Sequence, residues 1–515
     1  MGNRSFNKYY QQRICQQTTT IETENTLEKN IPTIRINPYI IQIGFDWGSS
    51  YSKCIYRDTY NNKSYIYTFK DTDTDNDNFL LSSTILFKNN CFLLNKSNKQ
   101  YPNNGLWNIK KALVDIIKKN YLSITLKRFN QLAYLKSDTE QQKLFIKSCA
   151  VFYISRILNR IRNHIINKYH NFGKNKKDTI YVNMSAPISN ISDTNDADII
   201  KEFRNILGIS WYIACKNEYL ADSDNRENIE YIINQNYSNK NFVFNIYPET
   251  IANIQTLYHS FNSSKYYNNI YIMTDIGSCY INQFCLYLHK EKEHITYLFS
   301  NIFPYGYGII EFMCNQEHNN INLQTWKYYK ENCIKNNILI TAINTLFVKL
   351  VEEFRNERLN YAKNKNLITN SDIRNYFYAK KKFNLIFSGG GNIYYPYMSA
   401  LFKAFSDKLH VLRENITTNI KLPNDITVDK KFHNNIGRLY IAYGLSFLSN
   451  ELNKISYPKT IKPNNKETKK QNTNITKNYI TSRHCIKPEK ENLQTCPYCH
   501  GQNSMCLYCD GKGVI

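Results

Sequence analysis

The hydrophobic positions of this 515-residue chain follow two alternating periods between about residues 38 and 450. Short runs rich in β-branched residues, such as TIYVNMSAPIS at 179–189, predict strands. Longer stretches repeat apolar residues at helical spacing and predict helices over about 139–168, through Leu144, Cys149 and Phe152, and over about 328–360. Strands and helices that alternate in this way are typical of an α/β fold.

This periodicity is absent at both ends of the chain. Residues 1–37 are polar and predict a disordered N-terminal arm. Lysine, asparagine and threonine dominate residues 451–490, which predicts a flexible basic linker, and residues 491–515 form a separate cysteine-containing unit.

Composition and charge narrow the class of protein. The apolar content of 42% predicts a globular chain with sizeable cores. The net charge of +24 raises the question of nucleic-acid binding, but the lysines are spread along the chain, so specific nucleic-acid binding is not favoured. Because the sequence has neither an 18-residue uncharged apolar run nor a secretion signal, we expect a cytoplasmic protein without a membrane partner.

One sequence pattern occurs twice. The segments IQIGFDWGSSYSKCIY, which starts at residue 41, and IYIMTDIGSCYINQF, which starts at residue 270, share an apolar run that ends near an aspartate, a Gly-Ser step, a tyrosine and a second apolar run. The gapless pairs are Asp46 with Asp275, Gly48 with Gly277, Ser49 with Ser278, and Tyr51 with Tyr280. Each copy predicts a β-hairpin with functional groups at its tip.

The chemistry of these predicted tips suits a polyphosphate. Glycines allow backbone N–H groups to approach an anion closely, and serine hydroxyls add donors. A carboxylate beside phosphate requires a divalent cation between them, and Mg²⁺ commonly takes one or two carboxylates together with water and phosphate oxygens. Two such hairpins that face each other would hold a triphosphate from both sides.

A third motif follows in the second half of the chain. In FNLIFSGGGNIYYP an apolar strand runs into Gly389, Gly390 and Gly391, where a flat purine or ribose could lie on the backbone. The motif is neither a P-loop nor a GxGxxG dinucleotide fingerprint.

The order of these motifs resembles the actin, sugar-kinase and heat-shock-chaperone ATPase superfamily, and in detail the nucleotide-binding domain of DnaK-type chaperones. The matching segments over residues 38–450 are IGFDWGSSYSK and TDIGSCYIN (two phosphate motifs), LSSTILF (81–87), NIKKALVD (108–115), YPETIANIQTLY (247–258), FSGGGNIYYP (the adenosine motif) and RLYIAYGLSF (438–447, a closing helix). The resemblance implies a duplicated ribonuclease-H-like fold, with lobe I at 38–250, to which 432–450 return, and lobe II at 251–431.

The resemblance also implies roles for individual residues, with ATP or ADP and Mg²⁺ as ligands. Asp46 and Asp275 would organise hydrated Mg²⁺ and the attacking water, either Lys110 or Lys111 would reach the γ-phosphate, and Glu249 would be the carboxylate of the linking segment. The β- and γ-phosphates would be wrapped by Gly48, Ser49, Ser50, Gly277 and Ser278, with Gly389, Gly390 and Gly391 under the nucleoside.

The second phosphate motif departs from the family pattern. The family has three glycines, a threonine and a final aspartate where this chain has Gly277, Ser278, Cys279, Tyr280 and Asn282. The loss of the final carboxylate leaves ATP hydrolysis an open question.

The C-terminal segment CPYCHGQNSMCLYCDGKG contains two CxxC pairs, Cys496 with Cys499 and Cys506 with Cys509. Four thiolates at this spacing match the tetrahedral preference of Zn²⁺, and a unit this small needs the metal to fold. Disulfides or a redox CxxC are the alternative. The segment resembles a single short copy of the cysteine-rich module of DnaJ-type co-chaperones.

Two functions therefore follow from the sequence. The first is a DnaK-like chaperone-type ATPase without a standard substrate-binding domain, whose ATP-dependent lobe closure regulates contacts with a protein client or co-chaperone. The alternative is a catalytically weak nucleotide-binding scaffold or actin-like assembling protein. A sugar or small-molecule kinase is a third hypothesis, and the basic linker leaves nucleic-acid binding open.

Overall fold

The computed structural model describes residues 35, 37–69, 78–95, 105–121, 123–135, 139–188, 196–235, 244–260, 269–288, 295–303, 384–393, 416–417, 423–426 and 436–452. The chain divides into two units, Met1–Asn37 and Pro38–Ile515. All elements below belong to the second unit. The predicted helix over 328–360, the linker and the cysteine-rich segment lie outside the described residues.

The described part of the second unit is a mixed α/β structure with several sheets. The strands are β1 Ile40–Trp47, β2 Tyr51–Asp58, β3 Lys63–Ile66, β4 Leu81–Ser82, β5 Ile85–Lys88, β6 Cys91–Leu94, β7 Gly105–Leu106, β8 Thr179–Ala186, β9 Ser223–Asn225, β10 Phe244–Pro248, β11 Asn269–Ile276, β12 Ile281–Leu288, β13 Ile295–Phe303, β14 Asn384–Ser388 and β15 Ile416–Thr417. The helices are α1 Ile109–Ile117, α2 Ile124–Ala133, α3 Thr139–Lys168, α4 Ala197–Lys216, α5 Arg226–Asn234, α6 Glu249–Ser260, α7 Tyr440–Leu445 and α8 Ser449–Leu452.

Two of the sheets repeat one topology. The first has the order β3-β2-β1-β8-β10, with β4 paired to β2, and the second has the order β13-β12-β11-β14-β15. In each sheet, neighbouring strands among the first three of this order are antiparallel. The last two strands run parallel to the third one, which is β1 in the first sheet and β11 in the second. The described chain thus contains two sheets with the same strand order and the same strand directions.

Helices α3 and α4 pack together beside the first sheet, and a small sheet, β7-β5-β6-β9, completes this half. The structure confirms the predicted helix over 139–168, because α3 spans Thr139–Lys168 and buries Cys149, Phe152, Ile157 and Ile161 completely. Apolar residues occur on every side of its middle turns, and such a helix is stable only when it is surrounded by other elements.

Helices α6 and α7 join the two halves. Helix α7 packs on β1, β2 and β8 of the first sheet and on α6, and α6 also contacts β12 of the second sheet. The close approach depends on Gly444, because a Cβ atom there would lie 1.8 Å from the carbonyl oxygen of Ala252. Thr256 Oγ1 donates a hydrogen bond to the carbonyl of Tyr440, which fixes the two helices further.

Among the described helices, none combines the length and the apolar character that a membrane span requires. The cysteines that the structure describes, Cys54, Cys91, Cys149, Cys215, Cys279 and Cys285, are free thiols.

Candidate functional site

The two repeated motifs form matched hairpins. In the first, Asp46 near the end of β1 lies opposite Lys53 of β2, and in the second Asp275 near the end of β11 lies opposite Asn282 of β12. Both aspartates are almost fully buried. The predicted hairpins are therefore confirmed, and each brings a buried carboxylate to the start of its turn.

The two turns contact each other. Ser50 Oγ donates a hydrogen bond to Ser278 Oγ, with 2.6 Å between the oxygens. The Cys279 thiol contacts the hydroxyl of Ser49, and burial raises the pKa of this thiol to about 11. At neutral pH Cys279 is therefore a protonated thiol in the contact between the turns.

An open cleft of about 920 Å³, including its solvent-filled mouth, lies against these turns. The residues that line it are Asp46, Gly48, Ser49, Ser50, Tyr51, Lys53, Glu249, Asp275, Gly277, Ser278, Cys279, Tyr280, Gly389, Gly390, Gly391, Gly437, Arg438 and Ile441.

The glycine motif forms the far wall of the cleft. Gly389 follows β14 with a φ of +82°, and a Cβ atom there would lie 2.4 Å from the carbonyl oxygen of Ile276 and 2.6 Å from Asp275 Oδ1. Only glycine fits this backbone conformation and this contact. Gly390, the next residue, is exposed to the cleft.

A chain of polar side chains crosses the floor of the cleft. On the first half, Lys53 Nζ lies 2.6 Å from Asp46 Oδ2, and Ser185 Oγ donates to Asp46 Oδ1 at 3.1 Å. Lys110 Nζ lies 3.4 Å from Ser185 Oγ and forms a buried ion pair with Glu249. The lysines thus offset two carboxylates that would otherwise be buried without a countercharge.

The row of polar side chains on the floor of the cleft continues into the second half through Asn282. Its side-chain amide donates hydrogen bonds to Glu249 Oε2 and, at 3.4 Å, to Asp275 Oδ2. Ser388 Oγ donates to Asp275 Oδ1 at 3.0 Å. Asn282 therefore links a carboxylate of α6 to the carboxylate of the second hairpin.

The pKa of Asp275 is raised from 3.8 to about 7. Burial is the main cause, and the charges of Glu249 and Asp46 act in the same direction, while the hydrogen bond from Ser388 and the charge of Lys53 oppose them. A carboxyl group with such a pKa changes its charge near neutral pH.

The structure brings most of the predicted site residues to one place. The cleft is lined by both aspartates, by Glu249 and by all the glycines and serines that were predicted to bind the phosphates and the nucleoside. Lys110 lies beneath them, paired with Glu249, whereas Lys111 pairs with Asp115 on its own helix at 2.7 Å. The four predicted zinc ligands, Cys496, Cys499, Cys506 and Cys509, lie outside the described residues.

Lys53, Ser185 and Arg438 belong to the site but were not predicted from the sequence, whereas Asn282 was noted only as a departure from the family pattern. Lys53 stands seven positions after Asp46, as Asn282 does after Asp275, and in a hairpin with a three- or four-residue turn this spacing places them opposite the aspartates. This signal was available. Ser185 lies in the predicted strand at 179–189 and Arg438 begins the segment RLYIAYGLSF, but nothing in either segment marks these two side chains as part of the site.

The carboxylates of the cleft are the candidate ligands for Mg²⁺. The described residues contain no group of three or more His, Cys, Asp or Glu side chains that could hold an ion. The cleft instead has one aspartate at the tip of each hairpin, Asp46 and Asp275. This pair fits Mg²⁺, which usually keeps several waters and binds phosphate oxygens together with one or two carboxylates. Asp46 and Asp275 would hold such an ion through its waters.

No protein-family model matches this chain, and no curated protein matches it. Among solved structures, the chain is similar to one from a structure entitled "PilM-PilN type IV pilus biogenesis complex". The match covers 81% of this chain and 98% of the other, with 10% sequence identity and a TM-score of 0.34. A similarity of this size carries no argument about fold or function, so the inference below rests on the cleft and on the repeated sheets.

Proposed function

We propose that this protein binds ATP or ADP in the cleft, and that its two halves are the lobes of a duplicated ribonuclease-H-like fold of the actin and heat-shock-chaperone ATPase superfamily. The observation that carries the proposal is the repeat. Two sheets of equal topology each end their first strand near a buried aspartate, and the Gly-Ser turns after Asp46 and Asp275 meet at one cleft.

The polarity of the cleft supports an orientation for the nucleotide. The two turns offer backbone N–H groups and the hydroxyls of Ser49, Ser50 and Ser278 to the phosphates. The wall at 389–391 leaves space for the nucleoside. Mg²⁺ bound with the nucleotide would supply positive charge against the phosphate oxygens.

Slow or absent hydrolysis fits this cleft better than rapid turnover. Asn282 stands where the resembled family has a carboxylate, and an amide cannot accept the proton of an attacking water. Lys110 is already paired with Glu249. We therefore favour a nucleotide-gated scaffold, which includes an actin-like assembling protein, over the chaperone-type ATPase.

One observation keeps the chaperone-type ATPase, with its protein client or co-chaperone, as the second candidate. Asp275 lines the cleft beside the Gly-Ser turn of the second hairpin, where a carboxylate can act as a general base toward an attacking water. Slow hydrolysis through Asp275 would allow lobe closure to be reset.

Calorimetric titration with ATP, in Mg²⁺ and in EDTA, tests this proposal, with phosphate release timed on the same samples. We expect saturable binding in Mg²⁺, and we expect Asp46→Ala and Asp275→Ala each to weaken it by about tenfold because a hydrogen bond to the hydrated ion is lost. In EDTA the two variants should not bind more weakly than the wild type, since they remove negative charge from beside the phosphates.

The matched control is Asp198→Ala, which removes an exposed aspartate in the first turn of α4 and should bind ATP as the wild type does. Binding without phosphate release would support the scaffold, slow phosphate release would support the chaperone-type ATPase, and ATP-dependent sedimentation would support assembly. A wild-type chain without saturable binding contradicts the proposal.

We further propose that the C-terminal CxxC pairs hold one Zn²⁺. The support is their spacing, since four thiolates suit a closed tetrahedral site. Metal analysis of the full-length chain should find one zinc, which the double variant Cys506→Ser, Cys509→Ser should lose and Cys91→Ser should keep. Zinc content that is equal in all three chains would contradict the site.

A further inference from the structure

A short segment that follows the second sheet docks on the first sheet. Residues 423–426, here called the strap, begin six residues after β15, which is the last strand in the order of the second sheet. Ser64 of β3 donates a backbone hydrogen bond to the carbonyl of Asp425 at 2.9 Å, and Ser64 and Ile426 form a parallel β-bridge. The strap thus connects the two halves at β3, in addition to the connection through α6 and α7.

The carboxylate of Asp425 holds the strap in place. Its Oδ2 atom accepts hydrogen bonds from the guanidinium of Arg57 on β2 and, at 2.9 Å, from Ser64 Oγ on β3. Its Oδ1 atom accepts a hydrogen bond from the hydroxyl of Tyr443 on α7 at 2.7 Å. One side chain of the strap therefore gathers donors from two strands of the first sheet and from a helix.

The ion pair of Asp425 with Arg57 is shielded from water. The Arg57 side chain is 5% exposed and the Asp425 side chain 18%. The guanidinium carbon of Arg57 lies 4.2 Å from the centre of the Phe447 ring. Because the loss of one partner leaves the other charge buried without compensation, Asp425 is expected to contribute strongly to the docking of the strap.

Through Tyr443 the carboxylate of Asp425 acts on a wall of the nucleotide cleft. Tyr443 stands in α7 two residues after Ile441, which lines the cleft. Gly437 and Arg438, just before α7, line the cleft as well. Gly389 donates a backbone hydrogen bond to the carbonyl of Gly437 at 3.2 Å, which ties this wall to the glycine motif. A shift of α7 on the first sheet would therefore move one wall of the cleft.

We propose that Asp425 is a positioning residue for the nucleotide cleft, because it holds the strap on β3 and, through Tyr443, keeps α7 where its cleft wall fits a nucleotide. Docking of the strap and binding of nucleotide are then coupled, and the coupling has the same size in both directions. This inference rests on the proposed function. It adds a control point at a residue that is not among the described residues lining the cleft.

Calorimetric titration of ATP into the full-length protein in Mg²⁺ tests the first direction of the coupling. Asp425→Ala should weaken ATP binding about tenfold, which is a common size for the coupling between two sites. Tyr443→Phe keeps the ring and the contacts of the strap with β2 and β3, and it should weaken ATP binding about threefold because one hydrogen bond to α7 is lost.

The matched control is Asp224→Ala. Asp224 pairs with Arg156, and their side chains are 24% and 3% exposed. The guanidinium carbon of Arg156 lies 4.4 Å from the centre of the Phe152 ring, so this ion pair resembles that of Asp425 with its arginine. It joins β9 to α3 and does not involve α7. The control should therefore lose stability as Asp425→Ala does, but bind ATP as the wild type does.

Hydrogen exchange of the full-length chain tests the other direction, through mass spectrometry of peptides that contain Ser64. The strap protects the Ser64 amide, because this amide donates to the carbonyl of Asp425. Exchange there should be faster in Asp425→Ala without nucleotide. In the wild type, saturating ATP should slow it about tenfold, since ATP binds more weakly when the strap is undocked.

Equal ATP affinity in Asp425→Ala and the wild type would overturn the positioning role. An equal loss of affinity in Asp425→Ala and Asp224→Ala would overturn it too, because that pattern indicates general destabilisation. So would exchange at Ser64 that ATP does not slow. If Asp425→Ala fails to fold, Tyr443→Phe supplies the same comparison. A wild-type chain that binds no ATP would overturn the proposed function itself, which is a different result from binding that ignores Asp425.

Discussion

Replacement of Lys110 by alanine is expected to lower the free energy of unfolding by about 3–5 kcal/mol, because it leaves the carboxylate of Glu249 buried without its countercharge. Lys110 is 1% exposed, and its ammonium contacts Glu249 and Ser185. Chemical denaturation of the nucleotide-free protein measures the change. The loss is large since the carboxylate that remains is only 8% exposed and keeps a neutral donor, the amide of Asn282, in place of a countercharge.

The neighbouring lysine provides a matched control. Lys111 pairs with Asp115 one turn along α1 and is partly exposed, and Asp115 also accepts a hydrogen bond from Ser123. Lys111→Ala should therefore cost less than about 1 kcal/mol. The double variant Lys110→Met, Glu249→Gln removes both charges and should recover much of the loss. Equal destabilisation by Lys110→Ala and Lys111→Ala would contradict the buried ion pair.

The second large effect concerns pH. Because the pKa of Asp275 is about 7 in the folded chain and 3.8 is its ordinary value, the folded protein binds this proton more tightly than the unfolded protein does. The contribution to stability is complete below about pH 4 and is lost as the pH rises through about 7. Over that range Asp275 should remove about 2–4 kcal/mol from the free energy of unfolding.

Asp275→Asn isolates this contribution, because asparagine resembles the protonated carboxyl in shape and carries no charge. Denaturation in EDTA, without nucleotide, should give similar stabilities for variant and wild type near pH 4, and a more stable variant at about pH 8. Parallel curves for the two proteins over this interval would show that the carboxyl of Asp275 titrates at its ordinary pKa.

Local patterns in the sequence were sufficient to predict the two hairpins. Their apolar runs, aspartates and Gly-Ser turns align without a gap, and a hairpin needs contacts only between neighbouring strands. The shared strand order of the two sheets could not be predicted from local pattern, because β8 and β14 pair with strands far away in the sequence. Long-range pairing of this kind depends on the packing of the whole core.

Local sequence pattern also could not decide which of the two lysines of α1 belongs to the site. Apolar residues surround both in IKKALVDII, and helical spacing alone does not separate Lys110 from Lys111. The choice depends on Glu249, which lies 139 residues from Lys110 along the chain and whose carboxylate pairs with Lys110, whereas Lys111 pairs with Asp115. A buried polar network is fixed by tertiary contacts, so only its components could be named from the sequence.

The most direct test of the account is calorimetric titration of ATP into the wild-type protein and into Gly390→Leu. Gly390 is exposed in the cleft, and the nearest atoms to a Cβ there belong to the movable side chain of Arg438. We therefore expect the leucine to fill the nucleoside space without a change in melting temperature. If the cleft binds the nucleotide, ATP should bind saturably to the wild type and this binding should be lost in Gly390→Leu. No binding to the wild type, or equal binding to both proteins, would contradict a nucleotide site in this cleft.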